Sequence, residues 1–182
     1  MEFIETEIEG VYLIRPRVFE DARGYFFESF SQQEFDKNIT PVRFVQDNQS
    51  RSSRRVVRGL HFQRPPHAQA KLVRCTRGSV VDVAVDLRKT SPTFGRHIAV
   101  ELSEENRLQL FIPRGFAHGF AVVSDEAVFE YKCDNYYAPQ SEGGISILSP
   151  ELKIDWPVCI ADANLSPKDL MLPLWKDFDN PF

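Results

Sequence analysis

The stretch Val80-Val81-Asp82-Val83-Ala84-Val85-Asp86-Leu87 admits few folds. It has the length of one strand, it is rich in β-branched residues that favour extended backbone, and apolar residues recur at every second position. Val81, Val83, Val85 and Leu87 fall on one face, and Asp82 and Asp86 on the other. Other short segments repeat the extended character: Val11–Ile14, Tyr25–Phe30, Val42–Gln46, Arg96–Leu102, Asn106–Ile112, Phe116–Val123 and Ala127–Cys133. Turn signals such as Asp21-Ala22-Arg23-Gly24 and Pro113-Arg114-Gly115 separate them. Helical patterns are few. Ser31-Gln32-Gln33-Glu34 has the form of a capping box. Ser166-Pro167-Lys168-Asp169 reads as a helix start, with Ser at the cap and Pro at the first position. Many short strands with turn signals predict an all-β sandwich or barrel with a few short helices. No repeat, low-complexity tract or linker divides the 182 residues, so a single domain over 1–182 is expected.

The net charge of −4 argues against general nucleic-acid binding, while leaving room for a local basic pocket that takes a phosphate. Cys75, Cys133 and Cys159 are widely spaced, without a Cys-x-x-Cys pair. They suggest neither a disulfide framework nor a zinc site. Met1–Glu5 lacks the basic-then-apolar form of a signal peptide, and no apolar run is long enough to span a membrane. The expected setting is a reducing cytoplasm.

Chemistry gathers at Arg58-Gly59-Leu60-His61-Phe62-Gln63, followed by Lys71-Leu72-Val73-Arg74. In a regular strand Gly59, His61 and Gln63 share one face, and Leu60 and Phe62 the other. Gly59 leaves space for a ligand or another backbone. Taken alone, His61 reads better as a satisfied edge-strand histidine, and its weight comes from the segments that follow. Arg51, Arg54, Arg55 and Arg58 form the only dense basic cluster. The first three read as a solvated loop, and Arg58, beside Gly59 and His61, as the anion-binding candidate. Ala127, Phe129, Tyr131 and Cys133 share an apolar face, so Tyr131 points inward, which a plain core tyrosine explains equally well. Asp82 reads either as a partner of Lys71 or His118 or as a surface acid.

Pro113-Arg114-Gly115-Phe116-Ala117-His118 has the Pro-x-Gly-x-x-His pattern of the second cupin motif, and Phe116, His118 and Phe120 share a face. The first cupin motif would bring a His-x-His pair. Here that place reads His61-Phe62-Gln63, so the three-histidine metal site of cupin oxygenases cannot be assembled. No metal is expected.

Gly59–Gln63, Lys71–Arg74, Val81–Arg88, Ser91-Pro92-Thr93-Phe94-Gly95, Ile112–Phe120, Tyr131-Lys132 and Leu165–Asp169 occur in that order. Together, over nearly the whole chain, they closely resemble the dTDP-4-dehydrorhamnose 3,5-epimerase family of the cupin superfamily. The resemblance implies a cupin-type jelly roll, a double-stranded β-helix barrel. It also implies a homodimer whose first strands help complete the neighbour's sheet, with Tyr25–Phe30 as the segment suited to this. No cofactor is implied. The implied substrate is a dTDP-linked 4-keto-6-deoxy sugar of dTDP-L-rhamnose biosynthesis. The protons at C3 and C5 flank its ketone, so each can leave to give an enolate and return from the opposite face. By resemblance His61 is the base, Asp169 orients it, Lys71 stabilises the enolate oxygen and Tyr131 is the acid on the far face. A helix-capping acid would explain Asp169 unaided.

The family's binding residues map onto Arg23, Glu28, Gln46, Asn48, Arg58, Lys71, His118, Glu142 and Lys168. Arg23, Arg58 and Lys168 would serve the diphosphate. Phe26 and Tyr137 would stack on sugar or thymine, although plain core explains Phe26 equally well. The chain departs from the family at Ala70, where glycine is common, and at Ile147-Leu148-Ser149-Pro150, where a tryptophan and an acid often precede the proline. Rival readings are an epimerase acting at C5 only or C3 only, a non-catalytic nucleotide-sugar binding module on the same barrel, and a metal-dependent cupin oxygenase, which Gln63 weakens.

Overall fold

The computed structural model describes residues 1–182. The strands are β1 (Glu2–Glu5), β2 (Tyr12–Arg15), β3 (Val18–Asp21), β4 (Gly24–Phe27), β5 (Gln46–Ser53), β6 (Val57–Gln63), β7 (Lys71–Arg77), β8 (Ser79–Asp86), β9 (His97–Ser103), β10 (Gln109–Ile112), β11 (Phe116–Val122), β12 (Glu126–Cys133) and β13 (Glu142–Gly144). A six-stranded sheet has the order β1-β2-β10-β7-β12-β5, a five-stranded sheet β13-β6-β11-β8-β9, and β3-β4 is a separate hairpin. All pairings within the sheets are antiparallel. Two antiparallel sheets closing on a shared interior make the cupin jelly roll.

The interior holds Val73, Leu110, Ile112 and Phe129 from the larger sheet and Val80, Ala84, Phe116 and Phe120 from the smaller. A second apolar layer lies outside the smaller sheet. There Val57, Leu60, Phe62, Val83, Val85 and Leu87 are covered by Ile145, Ile147, Leu152, Trp156 and the partly buried Trp175, Phe178 and Phe182. Asp82 and Asp86 therefore face the barrel interior beside Ala84, and both are fully buried. The sequence reading of Asp82 as a possible surface acid is corrected here: both faces of β8 are covered.

The helices start where the sequence places them. α1 (Gln32–Asn38) is capped by Ser31, whose hydroxyl accepts from the Glu34 amide, and α2 (Pro167–Leu170) by Ser166, which accepts from the Asp169 amide. Seven residues are too few for a helix to persist alone. Phe35 anchors α1 to the outside of the larger sheet, its ring centroid 5.0 Å from that of Phe111 and 5.7 Å from that of Phe30. β4 ends at Phe27, opposite Val18 where β3 begins, short of the predicted Phe30. β5 runs where a loop was expected. It pairs with β12 along its whole length, and Arg51 lies within it, ion-paired to Glu126.

One irregularity shapes the site. Val57 and Leu60 are three residues apart yet both lie in the outer layer, because the β6–β11 register shifts between His118 and Phe120. Gly59 has φ +128°, and a Cβ there would stand 2.6 Å from the Gly119 Cα. Only glycine at both positions lets the strands pass so closely. The extra residue brings Arg58 to the same side as His61, where regular alternation would have opposed them.

Asp86 pins the turn after β8. One oxygen accepts from the Arg88 amide and Nε, both at 2.9 Å, and the other from Arg88 Nη2, Ser91 Oγ and Thr93 Oγ1 at 2.8, 2.6 and 2.7 Å. Burial pushes this carboxyl up, but the bonds from Arg88, Ser91 and Thr93 outweigh it and hold it at about 2, against an ordinary 3.8. A carboxyl depressed by folding adds stability that is complete above its unfolded value and disappears as pH falls through the folded value. Asp86→Ala should therefore lose about 3 kcal/mol at neutral pH. It should also flatten the fall in urea stability between roughly pH 4 and pH 2. Urea titrations of both proteins across that range check this; an unchanged acid slope would refute it.

Candidate active site

Registers determine which side chains meet. Cys133 stands opposite Gln46 on one side and Lys71 on the other, and Tyr131 opposite Asn48 and Val73. Opposed residues share a face, and Val73 is interior core, so these rows line the inner wall of the larger sheet. His61 and Gln63 come from the smaller sheet, with Glu142 paired beside Gln63. Between the two walls opens a cleft of about 340 Å³, lined by Gln46, Asn48, His61, Lys71, Tyr131, Tyr137 and Glu142, with Phe62, Gln63 and Gln69.

His61 Nε2 lies 2.6 Å from Asp169 Oδ1, with the His61 side chain 39% exposed and that of Asp169 5%. The other Asp169 oxygen accepts from Ser166 Oγ at 2.7 Å, and the Asp169 amide donates to the same hydroxyl at 3.1 Å. The capping and the orienting readings of Asp169 thus both describe real contacts. Burial raises the Asp169 carboxyl, but the bonds from His61 and Ser166 bring it below its ordinary value. An ionised Asp169 accepts the Nε2 proton and leaves Nδ1 as the free ring nitrogen.

On the opposite wall the Lys71 ammonium sits 5.3 Å from the centre of the Tyr131 ring. Burial lowers Lys71, against the upward pull of Cys133, Asp82 and Glu142. Tyr131 is raised, first by burial and then by Cys133, while Arg58 draws it down. Arg58 reaches across from β6, its Nε donating to Ser52 Oγ of β5 at 3.1 Å. Lys168 pairs with Glu142 at the mouth, and the Tyr137 amide donates to Gln46 Oε1 at 3.0 Å. Glu142 is raised by burial but brought below its ordinary value by Lys168, Tyr137 and His61. At the inner end, buried His118 Nε2 lies 2.7 Å from Asp82 Oδ1, whose second oxygen has no partner. Asp82 is thus the partner of His118, and no ion pair joins it to Lys71.

A flat ring held in this cleft would have an imidazole on one face and a phenol and an ammonium on the other. Such an arrangement can remove a proton from one face, steady the resulting negative charge and return a proton to the other.

Gln63 is locked. Its Nε2 donates to the carbonyls of His67 and Tyr136 at 2.7 and 3.2 Å, and its Oε1 accepts from the Ala138 amide at 2.7 Å. No group of three or more His, Cys, Asp or Glu side chains is set to hold a metal ion. One lining residue escaped the sequence reading: Gln69, which carried no pattern. Cys133 stands beside the site without lining it, opposite Lys71 in register.

Arg58, His118, Lys168 and Asp169 stand beside the lining residues without lining the cleft, and three further expected site residues lie elsewhere. Arg23, Phe26 and Glu28 belong to the β3–β4 hairpin and the loop after it, and none lines the cleft. Arg23 is 90% exposed and its only ion pair is with Asp21. Phe26 is 70% exposed, which corrects its reading as core. The departure at Ile147–Pro150 packs into the outer layer. Ile147 joins that core, and Ser149 Oγ donates to the Ser146 carbonyl and accepts from the Trp175 amide.

A family model described as dTDP-4-dehydrorhamnose 3,5-epimerase matches residues 5–177. The chain is 56% identical over 170 residues to the dTDP-4-dehydrorhamnose 3,5-epimerase of Escherichia coli K12, covering 93% of this chain and 91% of the relative. Its fold is similar to the crystal structure of the Elizabethkingia anophelis enzyme of that name, with TM-score 0.94, 52% identity and coverage of 99% and 98% of the two chains. It is equally similar to a dTDP-6-deoxy-D-glucose-3,5-epimerase from Legionella pneumophila solved with dTDP-4-keto-L-rhamnose, at TM-score 0.94 and 47% identity over 98% of this chain and 94% of that one. With the motifs, the barrel and these likenesses in agreement, the chain belongs to the dTDP-4-dehydrorhamnose 3,5-epimerase family of isomerases.

Proposed function

We propose that this isomerase epimerises dTDP-4-dehydro-6-deoxy-D-glucose at C3 and C5 to dTDP-4-dehydro-L-rhamnose, in dTDP-L-rhamnose biosynthesis. The observation that carries the reading is the His61–Asp169 pair facing Lys71 and Tyr131 across one cleft. His61 takes the proton next to the ketone, with Asp169 fixing its ring and balancing the imidazolium. Lys71 meets the enolate oxygen, and Tyr131 returns a proton to the opposite face. Gln46, Asn48, Glu142 and His118 contact the substrate, Tyr137 stacks on it, and Arg58 and Lys168 hold the diphosphate.

In this reading the chain is one domain acting as a cytoplasmic homodimer. The hairpin supports the dimer: Phe19, Tyr25 and Phe26 are 52%, 60% and 70% exposed there. Apolar rings in such number fit a surface that another subunit covers. Arg23, Phe26 and Glu28 would then complete the partner's cleft rather than their own. The three cysteines are free, in keeping with a reducing compartment, and no helix is long and apolar enough to cross a membrane.

The test is incubation with dTDP-4-keto-6-deoxyglucose in deuterated water, followed by NMR. Label and inversion should appear at both C3 and C5. Change at one carbon alone would make this a mono-epimerase, and no exchange at either would leave a binding module. Arg58→Ala should weaken substrate binding about 10- to 100-fold, the worth of one charged hydrogen bond. Tyr131 would rise further once that charge is gone. Calorimetry with dTDP checks the affinity, and an unchanged value removes Arg58 from the diphosphate site. Prolonged treatment with a strong chelator should leave turnover intact; a lasting loss restored by one particular metal would contradict the proposed chemistry.

A further inference from the structure

We propose that Phe182 is the wall that keeps water from the niche side of Lys71, behind the cleft, and so a positioning residue for the epimerisation. The inference rests on the reading of Lys71 given above.

Behind the cleft lies a niche of about 10 Å³. It is lined by the polar Lys71, His118, Gln63 and Gln69 and by the rings of Phe62, Phe116 and Phe182. A space of this size holds one water at most. The Phe182 ring meets Phe62 edge-on, with centroids 5.7 Å apart, and a Cβ built on Gly115 would stand 3.9 Å from it. The segment carrying it is strapped over the barrel end at several points. Asn180 Nδ2 donates to the Leu87 carbonyl and Lys89 Nζ to the Asn180 carbonyl, both at 2.8 Å, and Arg64 pairs with Asp179 at 3.0 Å. The Phe182 amide donates to Asn180 Oδ1 at 3.0 Å, which aims the ring at the niche.

These anchors hold the backbone without the ring, so the ring's role is separable from the strap's. Removing it would open the niche to bulk water behind Lys71. Hydration would favour the ammonium in the resting enzyme and weaken its pull on an enolate, since charges act more strongly where water is excluded. The groups facing Lys71 are Asp82 on β8, His118 on β11, Tyr131 and Cys133 on β12 and Glu142 on β13. None belongs to the strap, so a change on altering Phe182 reports hydration and not a lost charge.

The test uses the full chain with Phe182→Ala. Lys71 is titrated by ¹³C NMR of its ε-carbon, the signal being assigned with Lys71→Arg. Its midpoint should rise, the alkaline limb of the rate profile should move up with it, and kcat should fall about 3- to 10-fold with KM little changed. Phe182→Leu should behave as the parent. Phe94→Ala, which removes packing on Trp175 and touches no residue lining the niche, should leave the midpoint in place. Should Phe182→Ala not fold, Phe182→Gln keeps much of the bulk and brings an amide to the same wall, and it should also raise the midpoint. An unmoved midpoint in the variant that folds, or an equal rise in Phe94→Ala, overturns the proposal. A parent protein that does not turn the sugar over would sink the functional reading, while the NMR titration would still decide the role of Phe182.

Discussion

His61→Ala should lose both epimerisation and deuterium exchange, each by roughly 10²–10⁴-fold. Without the imidazole the remaining carboxylate on that wall of the cleft, Glu142, is paired with Lys168 and held below its ordinary value, too weak a base to replace it, so no enolate forms and nothing is left to label. The loss should fall on kcat, because the sugar's grip on Arg58, Lys168 and the opposite wall remains. Asp169 cannot substitute. It is buried 2.6 Å behind the ring, its second oxygen is taken by Ser166, and losing His61 removes a bond that holds it ionised. The measurement is label at C3 and C5 after a fixed time in deuterated buffer. Full exchange in the variant would show that another group is the base.

Tyr131→Phe should fail in a different way. The base and the ammonium that steadies the enolate both remain, so abstraction continues. The missing hydroxyl leaves the far face without a donor, and His61 returns a proton to the face it came from. Deuterium then enters with retention, and exchange should exceed inversion where in the parent the two keep pace. The inversion rate itself should fall by roughly 10²-fold or more. The phenol's raised pKa fits this task, since at neutral pH it holds its proton until an enolate asks for it. Removing one hydroxyl from a wall shared with Val73 and Asn48 leaves the packing in place, so a rate loss would not reflect unfolding. Normal inversion in Tyr131→Phe would return the residue to the core and leave the acid to be found elsewhere.

The strands and the helix starts were legible because each rests on a local rule: alternation for β8 and β12, and a capping serine for α1 and α2. The inward aim of Tyr131 followed from the same alternation. What could not be read involves three dimensions. The strand pattern put Asp82 and Asp86 off the apolar face, but whether that face meets water or a second sheet depends on closure of the barrel. The shared side of Arg58 and His61 depends on an irregularity that no local pattern announces. The absence of Arg23, Phe26 and Glu28 from the cleft is likewise a matter of where a hairpin projects. Asp169 joined the site only by resemblance, since 108 positions of chain separate it from His61.

The extra residue in β6 ties together two parts of the molecule that otherwise look independent. Leu60 is clamped by reciprocal backbone bonds to Ile145 in the outer layer, at 3.0 and 2.9 Å, and the next residue along is His61. A strand whose step is fixed on one side has no freedom to slip on the other. The aim of the His61 imidazole, the proposed base, is therefore set by the fit of a layer outside the cleft. For anyone altering this enzyme, exchanges at Ile145 or Leu152 belong with those that tune turnover, and a stability screen of that layer would also be a screen of the chemistry. Drift in the outer layer would be held in check by the reaction even where the fold itself would tolerate it.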